Sequence, residues 1–285
     1  MNRFRTGIVP ERISTGRASL GTVSMFAAAL VIMACATGAP KVPYPAFIQS
    51  EELEDEFLGG LPGVRAKTFG GDHRSLRMSS RLLLPAEWDF STGATPDKSV
   101  EIFVLAGVLE LGGMTLSPGG YAYIPSGSMG ISMRTKSGAE ILYFLNDVDE
   151  RAVIRMPLIG GVESGRWRAL SGDAEDFGLS VMELRSDPGS GEKTWLLKID
   201  PSAEQQWQSY SAEVEGYLVS GNYRHSECVS GKPATAVYRP GGYFLRPADA
   251  VNAGPDAKST GESIWFLRVL GNGERKIVGA CVAQP

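Results

Sequence analysis

The side chains best suited to metal binding or acid–base chemistry are scarce in this sequence. Only two histidines occur, His73 and His225, and His225 lies two residues before Glu227. Imidazole and carboxylate groups ligate first-row divalent metals and transfer protons. One histidine in each half of the chain does not make a ligand set, so the sequence predicts no metal site and no cofactor. We expect both histidines to be ordinary surface-loop or strand residues.

Other motifs and the charge balance exclude several function classes. No Ser/His/Asp order, Walker sequence or zinc-finger spacing occurs. The formal net charge is −4, and removal of the first 34 residues leaves 24 basic and 31 acidic side chains. An acidic surface without a basic stripe has no general attraction for nucleic acid or anionic lipid. We therefore expect no nucleic-acid partner.

The amino terminus has the features of a targeting segment. Four arginines fall within residues 1–18, and an uncharged apolar run follows up to Ala34. The run is short for a membrane span and ends at Ile-Met-Ala-Cys, like a lipoprotein cleavage box. We predict a lipoprotein-type signal peptide over 1–35, lipidation of Cys35, and a tether and arm over 36–59. Simple cleavage near Ala36 and an uncleaved anchor are the alternatives.

The predicted location is the periplasm, with the protein anchored to the membrane only through its lipidated amino terminus. A soluble periplasmic or secreted protein is the alternative. Two cysteines, Cys228 and Cys281, remain in the exported part. An even number in an oxidising compartment predicts that they form a disulfide, and no C-x-x-C spacing suggests a redox pair.

An internal repeat organises the rest of the chain. The matching blocks are Val100–Gly107 with Val214–Gly221, Ser117–Pro125 with Arg239–Pro247, Ser137–Leu145 with Thr260–Arg268, and, upstream, Arg81–Pro85 with Trp195–Pro201. Each block is short, rich in β-branched and aromatic residues, and bounded by Gly or Pro, which is typical of strands. The sequence therefore predicts an all-β protein with domains at 60–155 and 156–280. Residues 41–59 should form a short helix or an arm packed on the first domain.

The motifs Glu-Ile-Phe-Val-Leu-x-Gly and Pro-Gly-Gly-Tyr-x-Tyr-Ile-Pro resemble those of the cupin family. They are most similar to the ChrR-like cupins, the metal-binding half of an anti-sigma factor, and to bacterial proteins with two such domains. The resemblance covers roughly residues 60–270. It implies two tandem cupin barrels, each a double-stranded β-helix or jelly roll with a pocket at one mouth. An anti-sigma role is not expected, because no separate sigma-binding helical domain is evident.

Metal-binding cupins bring a His-x-His pair, a glutamate and a later histidine together inside the barrel. The resemblance places other residues at these positions: Ala94, Pro96, Val100 and Gly130 in the first repeat, and Gln208, Tyr210, Val214 and Asn252 in the second. It therefore implies that both ligand sets are lost. If Val100 points into the barrel, strand alternation turns Glu101 outward, and a register error of one would reverse this.

The second pocket is the better candidate for a remaining function. Gln208, Tyr210 and Asn252 would line it with neutral polar groups, and Tyr217 and Trp265 would add aromatic surface, which suits a small neutral or weakly polar ligand. The first pocket should be filled. Our first hypothesis is a small-molecule-binding or structural module.

The second hypothesis is a metal-free isomerase, epimerase or lyase, for which the acid–base candidates are Tyr210, Glu213, Glu215 and His225. A metal-dependent dioxygenase ranks third. The sequence decides neither whether the chain is an enzyme nor whether it forms a homodimer.

Overall fold

The computed structural model describes residues 44–58, 60–72, 77–92, 97–128, 130–160, 167–170 and 177–282. The signal segment with Cys35, and also His73, Ala94 and Pro96, lie outside the described residues. The described part contains 24 strands and one 3-10 turn, Ser50–Glu52. Within that part, no helix has the length and hydropathy needed to cross a bilayer.

The strands form two barrels that follow one another along the chain. Up to the end of the first barrel they are β1 Ile48–Gln49, β2 Glu56–Phe57, β3 Arg65–Asp72, β4 Arg77–Leu84, β5 Trp88–Thr92, β6 Lys98–Gly107, β7 Leu109–Leu111, β8 Met114–Leu116, β9 Tyr121–Ile124, β10 Ile131–Thr135 and β11 Ala139–Asp147. The remaining strands are β12 Leu158–Gly160, β13 Arg168–Ala169, β14 Leu179–Ser186, β15 Lys193–Ile199, β16 Trp207–Tyr210, β17 Glu213–Ser220, β18 Tyr223–Val229, β19 Lys232–Tyr238, β20 Gly242–Arg246, β21 Asn252–Ala253, β22 Lys258–Ser259, β23 Ser263–Leu270 and β24 Arg275–Ile277.

Each barrel pairs a seven-stranded sheet with a smaller one. In the first barrel the strand orders are β12-β9-β6-β11-β4-β3-β2 and β5-β10-β7-β8. In the second they are β1-β20-β17-β23-β15-β14-β13 and β19-β18-β21-β16-β24, with β22 beside β18. The two large sheets therefore share one topology, strand for strand.

The barrels exchange their edge strands. β1 precedes the first barrel in sequence but pairs with β20 of the second, with Ile48 opposite Tyr243. β12 precedes the strands of the second barrel but pairs with β9 of the first, with Leu158 opposite Tyr123. The expectation that the amino-terminal arm packs on the first barrel is therefore wrong for β1. Without these arms, β9 and β20 would be edge strands with unpaired backbone groups. β12 supplies the hydrogen-bond partners of β9, and β1 supplies those of β20.

The central strands are buried on both faces, which explains their nearly continuous hydrophobicity. In β6, Val100, Ile102 and Val104 belong to the core of the first barrel. Phe103 points the opposite way, into an aromatic cluster that joins the two large sheets. Phe144 of the first barrel stacks on Phe266 of the second there, with ring centroids 5.4 Å apart.

The structure corrects the register of the third repeat block by one residue. Glu101 lies opposite Phe144, and Glu215 lies opposite Arg268. Phe144 is thus the counterpart of Arg268, whereas the sequence match set Leu145 against it. Runs of similar apolar residues align almost equally well one step apart, and only the strand pairing selects the register.

Glu101 lies outside the barrel interior, as alternation from Val100 requires, but solvent does not reach it. Its carboxylate accepts hydrogen bonds from Tyr121 Oη and Thr194 Oγ1, both at 2.7 Å. It also accepts from Arg185 and Arg268, both at 3.1 Å. Arg268 also donates a hydrogen bond to Glu215, 2.5 Å away. We call Glu101, Arg185, Glu215 and Arg268 the interbarrel charge cluster.

Candidate functional site

A second charged cluster lies inside the second barrel. Alternate residues of a strand face the same side, so β18 presents His225 and Glu227 together and β20 presents Arg246 beside them. All three side chains are less than a tenth exposed. The His225 ring contacts the rings of Tyr223 and Phe244, which belong to the core of this barrel. We call His225, Glu227 and Arg246 the inner cluster.

Arg246 holds the inner cluster together. Its Nη2 lies 2.6 Å from Glu227 Oε1 and 2.9 Å from His225 Nε2, and its Nε lies 3.0 Å from Glu227 Oε2. Tyr44 donates its hydroxyl to Glu227 Oε2 at 3.0 Å. His225 Nε2 lies between a donor and an acceptor, because Arg246 Nη2 can only donate to it and Glu227 Oε1, 3.1 Å away, can only accept from it. The ring tautomer decides which of the two bonds forms.

The cluster carries one positive and one negative charge and no net charge. Burial lowers the pKa of His225 and keeps the ring neutral, although Glu227 opposes the shift. Burial is the largest single influence on Glu227 and would raise its pKa, but Arg246 and His225 together, through charge and hydrogen bonds, outweigh it and hold the pKa at about 2. Glu227 is therefore a carboxylate at neutral pH, and its partner Arg246 neutralises it.

The low pKa of Glu227 predicts a specific dependence of stability on pH. An unfolded chain takes up this proton near the ordinary pKa of 4.5, and the folded protein only near 2. The stabilisation is therefore complete above the unfolded pKa and is lost as the pH falls towards 2. In Glu227→Gln, the melting temperature should fall less steeply than in wild type between about pH 5 and pH 3.

Thermal unfolding at a series of pH values measures these slopes. Glu56→Gln, at an exposed glutamate of β2, is the matched control and should keep the wild-type slope. An unchanged slope in Glu227→Gln would contradict the pKa assigned to this carboxylate.

Aromatic rings surround the inner cluster. Trp265 on β23 meets Tyr223 and Tyr238 edge-on, with centroid distances of 5.8 and 5.2 Å, and Phe244 at 5.4 Å. The indole is 3% exposed, yet its Nε1 has no hydrogen-bond partner among the protein atoms. A buried donor without an acceptor is costly, so this N–H is available to a water or a ligand.

The structure places the residues predicted for the pocket in different surroundings. Asn252 pairs with Gln208 on one side and Glu227 on the other. The Asn252 amide donates to the backbone oxygens of Gln208 and Ala250, and the Gln208 amide oxygen accepts from Arg275. Tyr210 packs against the same core, 6.4 Å from the ring of Trp195. The described hydrogen bonds of the Gln208 and Asn252 side chains therefore go to Arg275 of β24, to the backbone of β16 and to Ala250, just before β21.

The two aromatic residues predicted to line the second pocket, Trp265 and Tyr217, lie on different sides of the large sheet. Trp265 lies inside the second barrel, next to the inner cluster. Tyr217 lies on the opposite face of β17, in the aromatic cluster between the barrels, so it does not line the pocket. Strand alternation is the reason, because Val214 and Leu218 face the interior from the same strand.

The four acid–base candidates are dispersed. Glu213 is partly exposed and pairs with Arg77 at 2.8 Å, and Glu215 belongs to the interbarrel charge cluster. His225 is inside the barrel, so the expectation of a surface position is wrong for it. The carboxylate beside it is Glu227. The alternation Tyr-x-His-x-Glu after Gly221 could have indicated from sequence that His225 and Glu227 share one face of a strand. Only the folded structure shows that Arg246 of β20 lies against both.

The same positions in the first barrel are apolar. Val100 lies opposite Ile124 in the first barrel, as Val214 lies opposite Arg246 in the second. Ile124 is thus the counterpart of Arg246. Leu109 and Leu111, which follow Gly107, correspond to Tyr223 and His225, which follow Gly221. Leu109, Leu111 and Ile124 are all buried in the core of the first barrel, so aliphatic side chains fill the positions that Tyr223, His225 and Arg246 hold in the second.

Within the described residues, no group of three or more His, Cys, Asp or Glu side chains is arranged to hold a metal ion. Val100 and Val214, at the glutamate positions of the two repeats, are core residues. The other positions of the first repeat are Gly130, at φ +41° just before β10, and the two residues outside the described part.

One family model matches the chain, over residues 162–276, and is described as a domain of unknown function, DUF4437. No curated protein sequence matches. Among solved structures, a proposed dioxygenase from Nostoc punctiforme has 18% identity and a TM-score of 0.61, covering 84% of this chain and 86% of that one. The Ylba protein of E. coli, of family DUF861, has 16% identity and a TM-score of 0.61, covering 79% and 90%.

A mutant of Bacillus subtilis oxalate decarboxylase has 13% identity and a TM-score of 0.55, covering 81% and 78%. At these identities the likeness shows the fold alone. The chain is an all-β protein of two tandem cupin barrels, as the sequence motifs predicted.

Proposed function

We propose that this protein is an exported cupin-fold module whose second barrel binds a small neutral or weakly polar molecule without a metal ion. One observation carries the proposal, namely the difference between the two interiors. The first barrel is filled with aliphatic side chains, whereas the equivalent positions of the second hold the inner cluster and the unpartnered Trp265 N–H. A mostly apolar lining with a few directed polar groups is typical of ligand sites.

The donor chemistry of the second barrel does not fit a divalent cation. His225 and Glu227 are its neighbouring imidazole and carboxylate, and Arg246 lies within hydrogen-bond distance of both. A guanidinium supplies a fixed positive charge where a cation would need negative ligands. A metal-dependent dioxygenase therefore has no support from these residues. Stoichiometric iron, manganese or zinc in the purified protein would overturn this part of the proposal.

Binding is favoured over acid–base catalysis because Nε2 of His225 already has two partners inside the cluster. A general base must accept a substrate proton within hydrogen-bond reach. Nε2 lies 2.9 Å from Arg246 Nη2 and 3.1 Å from Glu227 Oε1. A metal-free isomerase, epimerase or lyase stays the second candidate, because a buried histidine beside a carboxylate can also act as the acid or base of such an enzyme. It would require His225 to release Arg246 when substrate binds.

We further propose that the protein is a periplasmic lipoprotein anchored through Cys35, with a soluble periplasmic or secreted form as the alternative. The signal-like amino terminus supports export. The Cys228–Cys281 disulfide, with Cα atoms 5.4 Å apart, suits an oxidising compartment. The likeness to ChrR-like cupins in particular stays a prediction, and so does the absence of nucleic-acid partners. Whether the chain forms a homodimer stays open.

A thermal-shift screen of wild-type protein with neutral sugars, amides and hydroxylated aromatics tests the binding proposal. A ligand at a hundred times its Kd should raise the melting temperature by about 5 °C or more. Trp265→Phe keeps an aromatic ring but removes the N–H donor, and should weaken the affinity about two- to tenfold.

Trp88→Phe is the matched control. Trp88 lies in the first core, and its Nε1 donates to Pro62 at 2.9 Å. This variant should melt at a lower temperature but keep the full ligand-induced shift. A shift that survives in Trp265→Phe and disappears in Trp88→Phe would place the site in the wrong barrel and refute the proposal.

A further inference from the structure

The amino-terminal arm, residues 44–50, lies against the second barrel beside the inner cluster. Its strand β1 extends the sheet at β20, and Ser50 N donates to Gly241 O at 2.9 Å. Before the strand, Ala46 O accepts a hydrogen bond from Tyr238 Oη at 3.3 Å. The Phe47 ring lies 5.6 Å from the ring of Tyr238.

Tyr44 is the part of this arm that reaches the inner cluster. It is only partly buried, whereas its hydrogen-bond acceptor Glu227 is 2% exposed. The phenol thus enters an interior cluster from a residue that precedes β1 and lies in no strand. Nothing similar occurs at the exchanged arm of the first barrel. Gly160 of β12 is the counterpart of Ile48, so Met156 corresponds to Tyr44, and Met156 is 73% exposed.

We propose that Tyr44 occupies the position of the ligand, and that the ligand is a neutral hydroxylated aromatic molecule. This inference rests on the proposed function of the second barrel. A phenolic hydroxyl of the ligand would donate to Glu227 Oε2 as Tyr44 does, and its ring would lie among the aromatic side chains. Because Arg246 already neutralises Glu227, the site offers no charge for an ionic ligand.

The Trp265 N–H adds a second polar requirement. A ligand with an acceptor such as a carbonyl or ether oxygen would satisfy this buried donor. A sugar fits the surroundings less well, because it needs partners for many hydroxyl groups. Neighbouring polar groups are already paired, Gln205 with Tyr223 and Tyr238 with the backbone of Ala46.

The arm then sets the apparent affinity. A ligand can bind only in the fraction of molecules whose arm has released Glu227, and the observed Kd is the intrinsic Kd divided by that fraction. An arm joined to the protein competes at high effective concentration. Variants that weaken the arm contact should therefore bind the ligand more tightly than wild type.

Calorimetric titration with 4-hydroxyacetophenone and with acetophenone tests both parts of the inference, at a pH where the phenol is neutral. Tyr44→Ala should bind 4-hydroxyacetophenone at least tenfold more tightly than wild type does. It should also prefer 4-hydroxyacetophenone over acetophenone at least tenfold. Tyr44→Phe keeps the ring and frees Glu227, so it should gain affinity as well. Phe57→Ala, at an exposed ring of β2, is the control and should match wild type.

Every other result of these titrations contradicts one named part of the inference. Equal affinity of Tyr44→Ala for the two acetophenones would refute the hydroxylated ligand class. Equal affinity of wild type and both Tyr44 variants would refute competition by the arm. If neither acetophenone binds Tyr44→Ala while another screened molecule gives a Trp265-dependent shift, this inference fails and the proposed function stands. If no screened molecule binds wild type or Tyr44→Ala, both fail.

Discussion

Replacing Arg268 with methionine is expected to lower the free energy of unfolding by about 3–5 kcal/mol, because it removes one partner from a buried charge cluster. Arg268 lies at the contact between the barrels and is 1% exposed. It donates to Glu101, Glu215 and the amide oxygen of Asn146. Methionine has a similar length but cannot donate, so Glu215 would be left buried without a cation beside it.

The cost arises from the unpaired carboxylate rather than from the strength of the ion pair. Taking charges out of water is expensive, and a buried pair roughly repays that expense only while both partners are present. Glu101 keeps Arg185 in the variant, whereas Glu215 keeps only the Tyr243 hydroxyl, at 2.6 Å. The double variant Glu215→Leu with Arg268→Met should therefore recover part of the loss.

Chemical denaturation of wild type and the variants measures the difference. Arg134→Met is the matched control, since Arg134 pairs with Glu110 on the exposed surface of the first barrel. Exposed pairs contribute little, so this control should unfold at the wild-type denaturant concentration. A loss in Arg268→Met no larger than in the control would show that the interbarrel charge cluster does not hold the barrels together.

Loss of the Cys228–Cys281 disulfide is expected to have a similar effect, about 4 kcal/mol by the loop-entropy relation. The cysteines are separated by 53 positions, and the cross-link therefore restricts a long loop in the unfolded chain. In the folded protein it joins β18, which carries His225 and Glu227, to the chain beyond β24. Reduction should thus destabilise the second barrel selectively.

Thermal unfolding with and without a thiol reductant tests this in a chain carrying Cys35→Ser. The double variant Cys228→Ser with Cys281→Ser should melt at the temperature of the reduced protein and should not respond to reductant. Reductant-insensitive melting of the protein that retains both cysteines would contradict the expectation, as would two free thiols by mass analysis of the non-reduced protein.

The two barrels of this chain share a scaffold and differ in what fills it. The first interior is aliphatic, so its role is to support the large sheet that packs against the second barrel. The second encloses the inner cluster and, through exchange of β1, receives the arm that carries Tyr44. The proposed site therefore combines the second barrel with residues that precede the first.

The sequence by itself determined the strand content, the repeat and the cupin-type fold, because these depend on local patterns such as the Pro-Gly-Gly-Tyr turns. Alternation along β6 also predicted that Val100 and Glu101 face opposite sides, but which of them faces the interior needed the structure. The sequence could not show that the outer face of β6 is buried, since that depends on the second barrel packing against it.

Only the tertiary structure decided the site. Glu227 and Arg246 are separated by a hairpin and a turn, and Tyr44 precedes both barrels, so their meeting depends on sheet closure and on strand exchange. Family positions pointed instead to Gln208, Tyr210 and Asn252. The described side-chain hydrogen bonds of Gln208 and Asn252 go to Arg275 and to the backbone of Gln208 and Ala250. A polar group becomes available to a ligand only where the fold leaves it unpaired, and pairing is a property of the folded chain.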